Sequence, residues 1–214
     1  MPDIGYPLDA EWLEADGLGG FASGTVGGER TRRYHALVLT ATMPPTGRVV
    51  LVNGFDAWLE TESGRYALST QRYGSDDVYP DGQQRLVSFA PEPWPTWRFR
   101  AEDGTEVEQE LFVVRGSPET VLRWRLVGGG PARLVVRPLL SGRDYHAIHH
   151  ENPALSFDAR VAGPTVTWRP YGPLPAVTAF ANAAYGHEPV WYLSLIHISE
   201  PTRPLYISYA VFCL

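Results

Sequence analysis

EWLEADGLGGFASGTVGGERTRRYHALVL, residues 11–39, decides the fold, because two incompatible architectures can be read into it. Trp12 and Leu13 open the stretch, six glycines follow at positions 17, 19, 20, 24, 27 and 28, and Thr31-Arg32-Arg33-Tyr34-His35 leads into the apolar run Ala36 to Leu39. Gly17, Gly19 and Ala22 satisfy the G-x-G-x-x-[GA] dinucleotide fingerprint, which needs a buried strand before it and a helix after it. Neither is in place. Glu11, Glu14 and Asp16 put carboxylates where the buried strand should be, and the SGTVGG that follows is costly as helix because of its glycines. The stretch therefore reads as a glycine-rich β connection. It delivers cationic, phenolic and imidazole side chains to the head of a strand, the kind of loop that shapes a surface for a ligand or a neighbouring domain. The bland alternative makes the arginine pair its solvated end.

Outward from that stretch, the chain alternates strands with turns. Pro44-Pro45-Thr46-Gly47 predicts a turn, Arg48 to Val52 a strand, Asn53-Gly54 a hairpin turn and Phe55 to Glu60 the return strand. Gln71 to Gln84 is polar and turn-rich and reads as a surface loop. Trp97, Phe99 and Ala101 alternate with Arg98 and Arg100, and Glu106, Glu108 and Glu110 alternate with Val107, Gln109 and Leu111, so both segments are half-buried strands. A two-residue Asp-Gly turn between them would set Arg100 opposite Val107 and mix the faces. A three-residue loop, Glu102-Asp103-Gly104 with Gly104 left-handed, sets Arg100 opposite Glu106 and Phe99 opposite Val107, and is the register predicted. Leu122, Trp124 and Leu126 point inward. Further strands are expected at 132–140, 154–162 and 165–169, with Phe180 and Val190 to Tyr192 in a last pair. No segment has helical periodicity, so the fold class is all-β, a large antiparallel, supersandwich-like β-sandwich.

The 214 residues suffice for one sandwich with a sizeable core or two small domains. A net charge of −6 argues against nucleic acid, and the lack of a charged-then-apolar leader or a bilayer-length apolar run argues against secretion or a membrane span. A cytoplasmic location is expected, in keeping with a lone cysteine, Cys213. The segment from Leu193 to Leu214, LSLIHISEPTRPLYISYAVFCL, resembles the translation of a sequencing adapter. That likeness implies a native domain over residues 1–192, a non-native tail over 193–214, and a gene that continues past Tyr192.

EWLEADGLGGFASGT followed by TRRYHALVL and PPTGRVVLV resembles the opening of the amino-terminal domain of bacterial and archaeal glycogen debranching enzymes of the amylo-α-1,6-glucosidase type. Tyr66-Ala67-Leu68-Ser69, PWPTWRF at 93–99 and PLLSGRDYH at 138–146 follow in the same order, so the likeness covers roughly residues 8 to 192. The family usually has glycine where this chain has Ala36. The resemblance implies that the full-length enzyme hydrolyses α-1,6 branch points of glycogen, with its catalytic carboxylates in an (α/α) barrel after the β domain. It also implies two partners, α-glucan and that barrel, with no cofactor. A free-standing carbohydrate-binding sandwich and the β domain of a glucoamylase- or trehalase-type enzyme are the alternatives.

Glycoside hydrolysis needs two carboxyl groups facing each other across the scissile bond. Asp16, Asp76, Asp77, Asp81 and Asp144 lie in expected loops, but no spacing pairs them, and no catalytic residue is expected here. The binding or domain-interface candidates are Arg33, Tyr34 and His35, and the cluster Arg143, Asp144, Tyr145 and His146 after the strand expected to end at Leu140. The second cluster reads alternatively as an Arg-Asp pair tying a loop, with Tyr145 as a core plug. Trp94 and Trp97, in or beside the Pro91 to Pro95 loop, are candidate sugar platforms, with core burial the ordinary fate of a sandwich tryptophan. His146, His149 and His150 have no spaced carboxylate or cysteine partner, so no metal is expected.

Overall fold

The computed structural model describes residues 4–73, 77–147, 152–194, 198–202, 205–206 and 210–211. Among these the strands are β1 (Glu11–Ala15), β2 (Phe21–Thr25), β3 (Ala36–Met43), β4 (Thr46–Thr61), β5 (Gly64–Ala67), β6 (Thr70–Tyr73), β7 (Asp77–Asp81), β8 (Leu86–Ala90), β9 (Thr96–Arg100) and β10 (Glu106–Val113). They continue as β11 (Thr120–Gly128), β12 (Arg133–Asp144), β13 (Ala159–Ala162), β14 (Thr165–Trp168), β15 (Val177–Ala181), β16 (Ala184–Tyr185), β17 (Val190–Ser194), β18 (Ile198–Thr202), β19 (Leu205–Tyr206) and β20 (Ala210–Val211). The helical element among the described residues is one 3-10 turn, Gly82–Arg85. The all-β expectation holds.

The large sheet runs β1-β2-β3-β4-β12-β18-β17, with β5 on β4, β19 on β12 and β16 on β19. A four-stranded sheet, β11-β10-β9-β8, supplies the opposing layer. Between the two lies an apolar core in which Val52, Ala57, Leu59 and Val136 from the large sheet share a cluster with Trp97, Phe99, Val107, Leu111 and Leu122. Phe55 meets Trp124 edge-on at 5.5 Å, and Trp97 Nε1 donates to Val26 O at 3.0 Å, so a polar handle of a buried ring is satisfied by the opposite layer. A second four-stranded sheet, β13-β14-β15-β20, adds Val166, Trp168, Val177 and Ala179 to the same cluster, while β6 and β7 form a separate hairpin.

The β9–β10 hairpin has the predicted register. Arg100 stands opposite Glu106, Phe99 opposite Val107 and Arg98 opposite Glu108, and Gly104 has φ 85°. Arg100 and Glu106 pair at 2.7 Å on the solvent face. Leu122 and Trp124 are buried as expected, but Leu126, on the same face, is 41% exposed.

Several local expectations fail where tertiary contacts override them. Asn53-Gly54 is no turn, because β4 runs unbroken through it from Thr46 to Thr61. Gly54 does not adopt the left-handed backbone such a turn requires, and pairing with β12 skips Asn53, with Leu139 opposite Gly54 and Leu140 opposite Val52. The dipeptide makes a bulge instead. The described residues of the expected loop over 71–84 hold β6, β7 and the 3-10 turn, with Gln71 buried, while 74–76 lie outside the described residues. The strand expected to stop at Leu140 continues to Asp144, the one expected over 154–162 is shortened to β13, and Phe180 and Val190 fall in β15 and β17, which do not pair.

Of the six glycines, Gly19, Gly20, Gly24 and Gly27 allow close approach, while Gly17 and Gly28 supply left-handed backbone at φ 78° and 85°. A Cβ on Gly20 would collide with Asp16 Oδ2 and lie 2.6 Å from Leu39 O, and one on Gly19 would lie 2.8 Å from Pro45 O. Asp16 is itself buried, accepting from the backbone N–H of Leu18 at 2.6 Å and of Gly20 at 2.9 Å, while its own carbonyl accepts from Gly116 N at 2.7 Å. The DGLGG run thus folds the β1–β2 connection back against β3 and ties it to the loop before β11.

Candidate functional site

The two polar clusters singled out by sequence, 31–35 and 143–146, meet on one face of the large sheet. Arg143 is the clip. It is the penultimate residue of β12, paired with Val50 of β4, and it is buried beneath the 31–35 turn. Its Nη2 donates to Arg33 O at 2.5 Å and to Asn53 Oδ1 at 3.1 Å, and its Nη1 to Ala147 O at 3.3 Å. One guanidinium fork therefore holds the turn, the β4 bulge and the loop after β12 together, a job its planar five-donor geometry suits. Asp144 accepts from His146 N at 2.8 Å, so its carboxylate shapes the same loop rather than serving a ligand.

Above this clip the exposed side chains interlock. Arg33 Nη1 donates to His146 O at 2.8 Å, and Tyr34 Oη lies 3.3 Å from His146 Nδ1. Tyr145 and His146 rest against each other with centroids 3.8 Å apart and rings tilted by 42°, Tyr34 packs on Tyr145 at 5.6 Å, and the Arg48 guanidinium lies over Tyr145 at 5.7 Å. Tyr145 thus does plug a small apolar cluster, with Ala36, Leu39, Val50 and Phe21, and it also fronts the surface. His35 lies beneath, its Nδ1 accepting from Thr31 N at 3.2 Å and its Nε2 3.4 Å from Glu11 Oε1. Burial holds its pKa below the ordinary 6.5, with Glu11 opposing and Arg32 and Arg30 adding to the shift. Glu11 pairs with Arg32, which keeps its carboxyl below the usual range.

An open groove of about 640 Å³ runs along this face. Trp12, Phe21, Tyr34 and Tyr145 give it aromatic walls, and Glu11, Arg32, Arg48 and His146 give it polar ones. Glu11, Ser23, Arg48 and Asn53 were not legible as site residues. Glu11 reads as one outward position of an alternating strand, and its partners Arg32 and His35 are joined to it only by folding; no local signal marks it.

The two tryptophan candidates part company. Trp97 is 5% exposed and turned into the core, which corrects its reading as a sugar platform: its alternation with Arg98 places it on the inward face of β9. Trp94 is half-buried in the loop before β9, packed on Phe112 of the opposing sheet at 5.0 Å, and does not line the groove. Of the loop carboxylates, Asp16 and Asp144 serve turns and Asp81 pairs with Arg85 at 2.7 Å. Asp76, His149 and His150 lie outside the described residues. Among the described residues no cluster of three or more His, Cys, Asp or Glu could hold a metal ion, and no helix is long and apolar enough to cross a membrane.

A second polar site lies inside the sandwich. Asp56 is fully buried, its Oδ1 accepting from Gln71 Nε2 at 2.9 Å, and Arg30 Nη2 donates to Gln71 Oε1 at 2.9 Å. Burial pushes the Asp56 pKa up against the pull of Gln71, Arg30 and Arg137.

Residues 10–212 of the chain match the family model described as glycogen debranching enzyme N terminal. No curated protein and no solved structure gives a significant match.

Proposed function

Because the chain belongs to the glycogen debranching enzyme N-terminal family, we propose that it is the non-catalytic β domain of a cytoplasmic enzyme that hydrolyses α-1,6 branch points of glycogen, and that it supports a helical (α/α) barrel which carries the catalytic carboxylates. The observation that carries this reading is the assembly of one exposed face from segments 110 residues apart in sequence, clipped by Arg143 and fronted by Arg33, Tyr34, Tyr145 and His146. A fold that spends a buried arginine on ordering surface side chains is ordering them for a partner, since a solvated face needs no such support. Catalysis by opposed carboxyls depends on their set separation, and Asp16, Asp144 and Asp81 are engaged in turns and an ion pair.

The test is enzymatic. The purified chain should release no glucose from a limit dextrin, and a barrel domain of the family added in trans should bind it and restore hydrolysis. Hydrolysis by the chain alone, abolished by replacing one of its own aspartates, would overturn the reading.

A further inference from the structure

We propose that the groove between the 31–35 turn, β1 and the 145–146 loop is a subsite for a linear α-glucan segment, binding the polymer directly while the rim of the same face meets the catalytic domain. The inference rests on the debranching-family reading for the identity of the sugar. The groove's form is independent of it. At about 640 Å³ it falls within the ~300–1,000 Å³ of small-molecule sites. Its chemistry suits a neutral polyol. Tyr34 is 36% exposed, and with Tyr145 and the half-buried Trp12 it offers ring faces on which the C–H face of a glucose unit can lie. Beside these stand an acceptor, Glu11, and donors on Arg32, Arg48 and His146, the mixed complement that hydroxyl groups require.

Glu11 pairs with Arg32, and the remaining cation of the lining, Arg48, donates to Gly19 O at 2.9 Å and lies over the Tyr145 ring, so neither arginine stands as an isolated charge awaiting an anion. A docked helix would want a continuous apolar strip, whereas the large exposed hydrophobics here are Leu13 and Tyr34 alone. The rings are also held before any ligand arrives. Tyr34 O accepts from Ser23 Oγ at 3.2 Å, Tyr34 Oη contacts His146 Nδ1 at 3.3 Å, and Arg143 fixes the turn from below. Preorganised aromatics bind at lower entropic cost.

The experiment titrates the 214-residue chain with maltoheptaose by calorimetry, with cellohexaose as the β-linked control, and follows hydrogen exchange of residues 31–35 and 145–147 in the unmodified protein. Saturable maltoheptaose binding with slowed exchange in both segments is expected. Tyr34→Ala should weaken it roughly three- to tenfold, the scale of one aromatic contact; Tyr34→Phe should keep it, and so should Trp94→Ala. Binding that survives Tyr34→Ala in a folded variant, or falls with Trp94→Ala instead, overturns the placement. A folded chain that binds no maltoheptaose overturns the subsite but leaves the domain reading, which co-purification with the barrel tests separately. Protection of these segments by the barrel alone, with none from maltoheptaose, makes the groove a protein interface and also overturns the subsite.

Discussion

His35 shows how a single side chain couples the β1 edge to the functional face. A backbone N–H from Thr31 occupies the lone pair of Nδ1, so the neutral ring carries its proton on Nε2, toward Glu11. Protonating Nδ1 would break the Thr31 bond, and burial already disfavours the cation more than Glu11 favours it. The folded-state pKa is therefore depressed below 6.5, and the unfolded chain binds the proton more readily. By linkage, the stability that neutral His35 contributes is full above pH 6.5 and is lost as pH falls through the lowered folded value. Thermal midpoints taken from pH 7.5 downward should drop below about 6.5 in the native chain and drop less in His35→Gln. A His35 ring signal that titrates above 6.5 would contradict this. The functional half of this arrangement was legible, since Arg33, Tyr34 and His35 stand together in sequence as polar groups feeding a strand. Glu11 was not, because its role depends on contacts formed 21 and 24 residues away along the chain.

Strands and turns were legible where both flanks carried information. The Glu102-Asp103-Gly104 loop follows from charge and apolar alternation on β9 and β10, which admits one register that keeps charge out of the core. Asn53-Gly54 carried a stronger local turn signal and was wrong. Its asparagine is buried and bonded by Arg143, a residue 90 positions on, and the long β4 strand between β3 and β12 leaves no room for a reversal. Local preference yields to such pairing because a turn dipeptide is worth little against a ladder on both sides. The two glycines make a clean comparison. A Cβ on Gly104 would meet nothing within 4 Å, so Gly104→Ala carries the left-handed backbone penalty alone, and equilibrium denaturation should show a loss of about 1 kcal/mol. No change would mean that the loop relaxes to another turn type. Gly54→Ala would instead bring a Cβ to 3.0 Å from Arg30 Nη1, beside the buried Asp56 network.

At the scale of the whole molecule, the open question is how the last 22 residues, 193–214, belong to the sandwich. The family match extends to residue 212, through this segment, and the structure pairs its backbone with the body of the chain. We propose nonetheless that it is adapter-derived and adds nothing to stability. The pairing itself supports this. Among the described residues, β4 and β12 are joined along nearly their whole lengths, from Arg133 opposite Glu60 to Asp144 opposite Val49. Among the described residues, the tail pairs with β12 at Leu139 with Thr202 and at Val135 and Val136 with Tyr206 and Leu205, with β15 at Phe180 and Ala181, with β16 at Ala184 and Tyr185, and with β17 over Val190 to Ser194. The short bridges to β12, β15 and β16 fix several residues for each bond gained, ordering a residue's backbone costs about 1–2 kcal/mol, and the β17–β18 ladder is a two-stranded hairpin at the sheet's edge, a unit of marginal stability by itself. Truncation after Tyr192 should therefore leave the thermal midpoint unchanged or raise it, with the residue 31–35 turn and its Arg143 clip intact by hydrogen exchange. A clear fall in the midpoint would show that the edge of β12 depends on residues 193–214, and that this segment is part of the native domain after all.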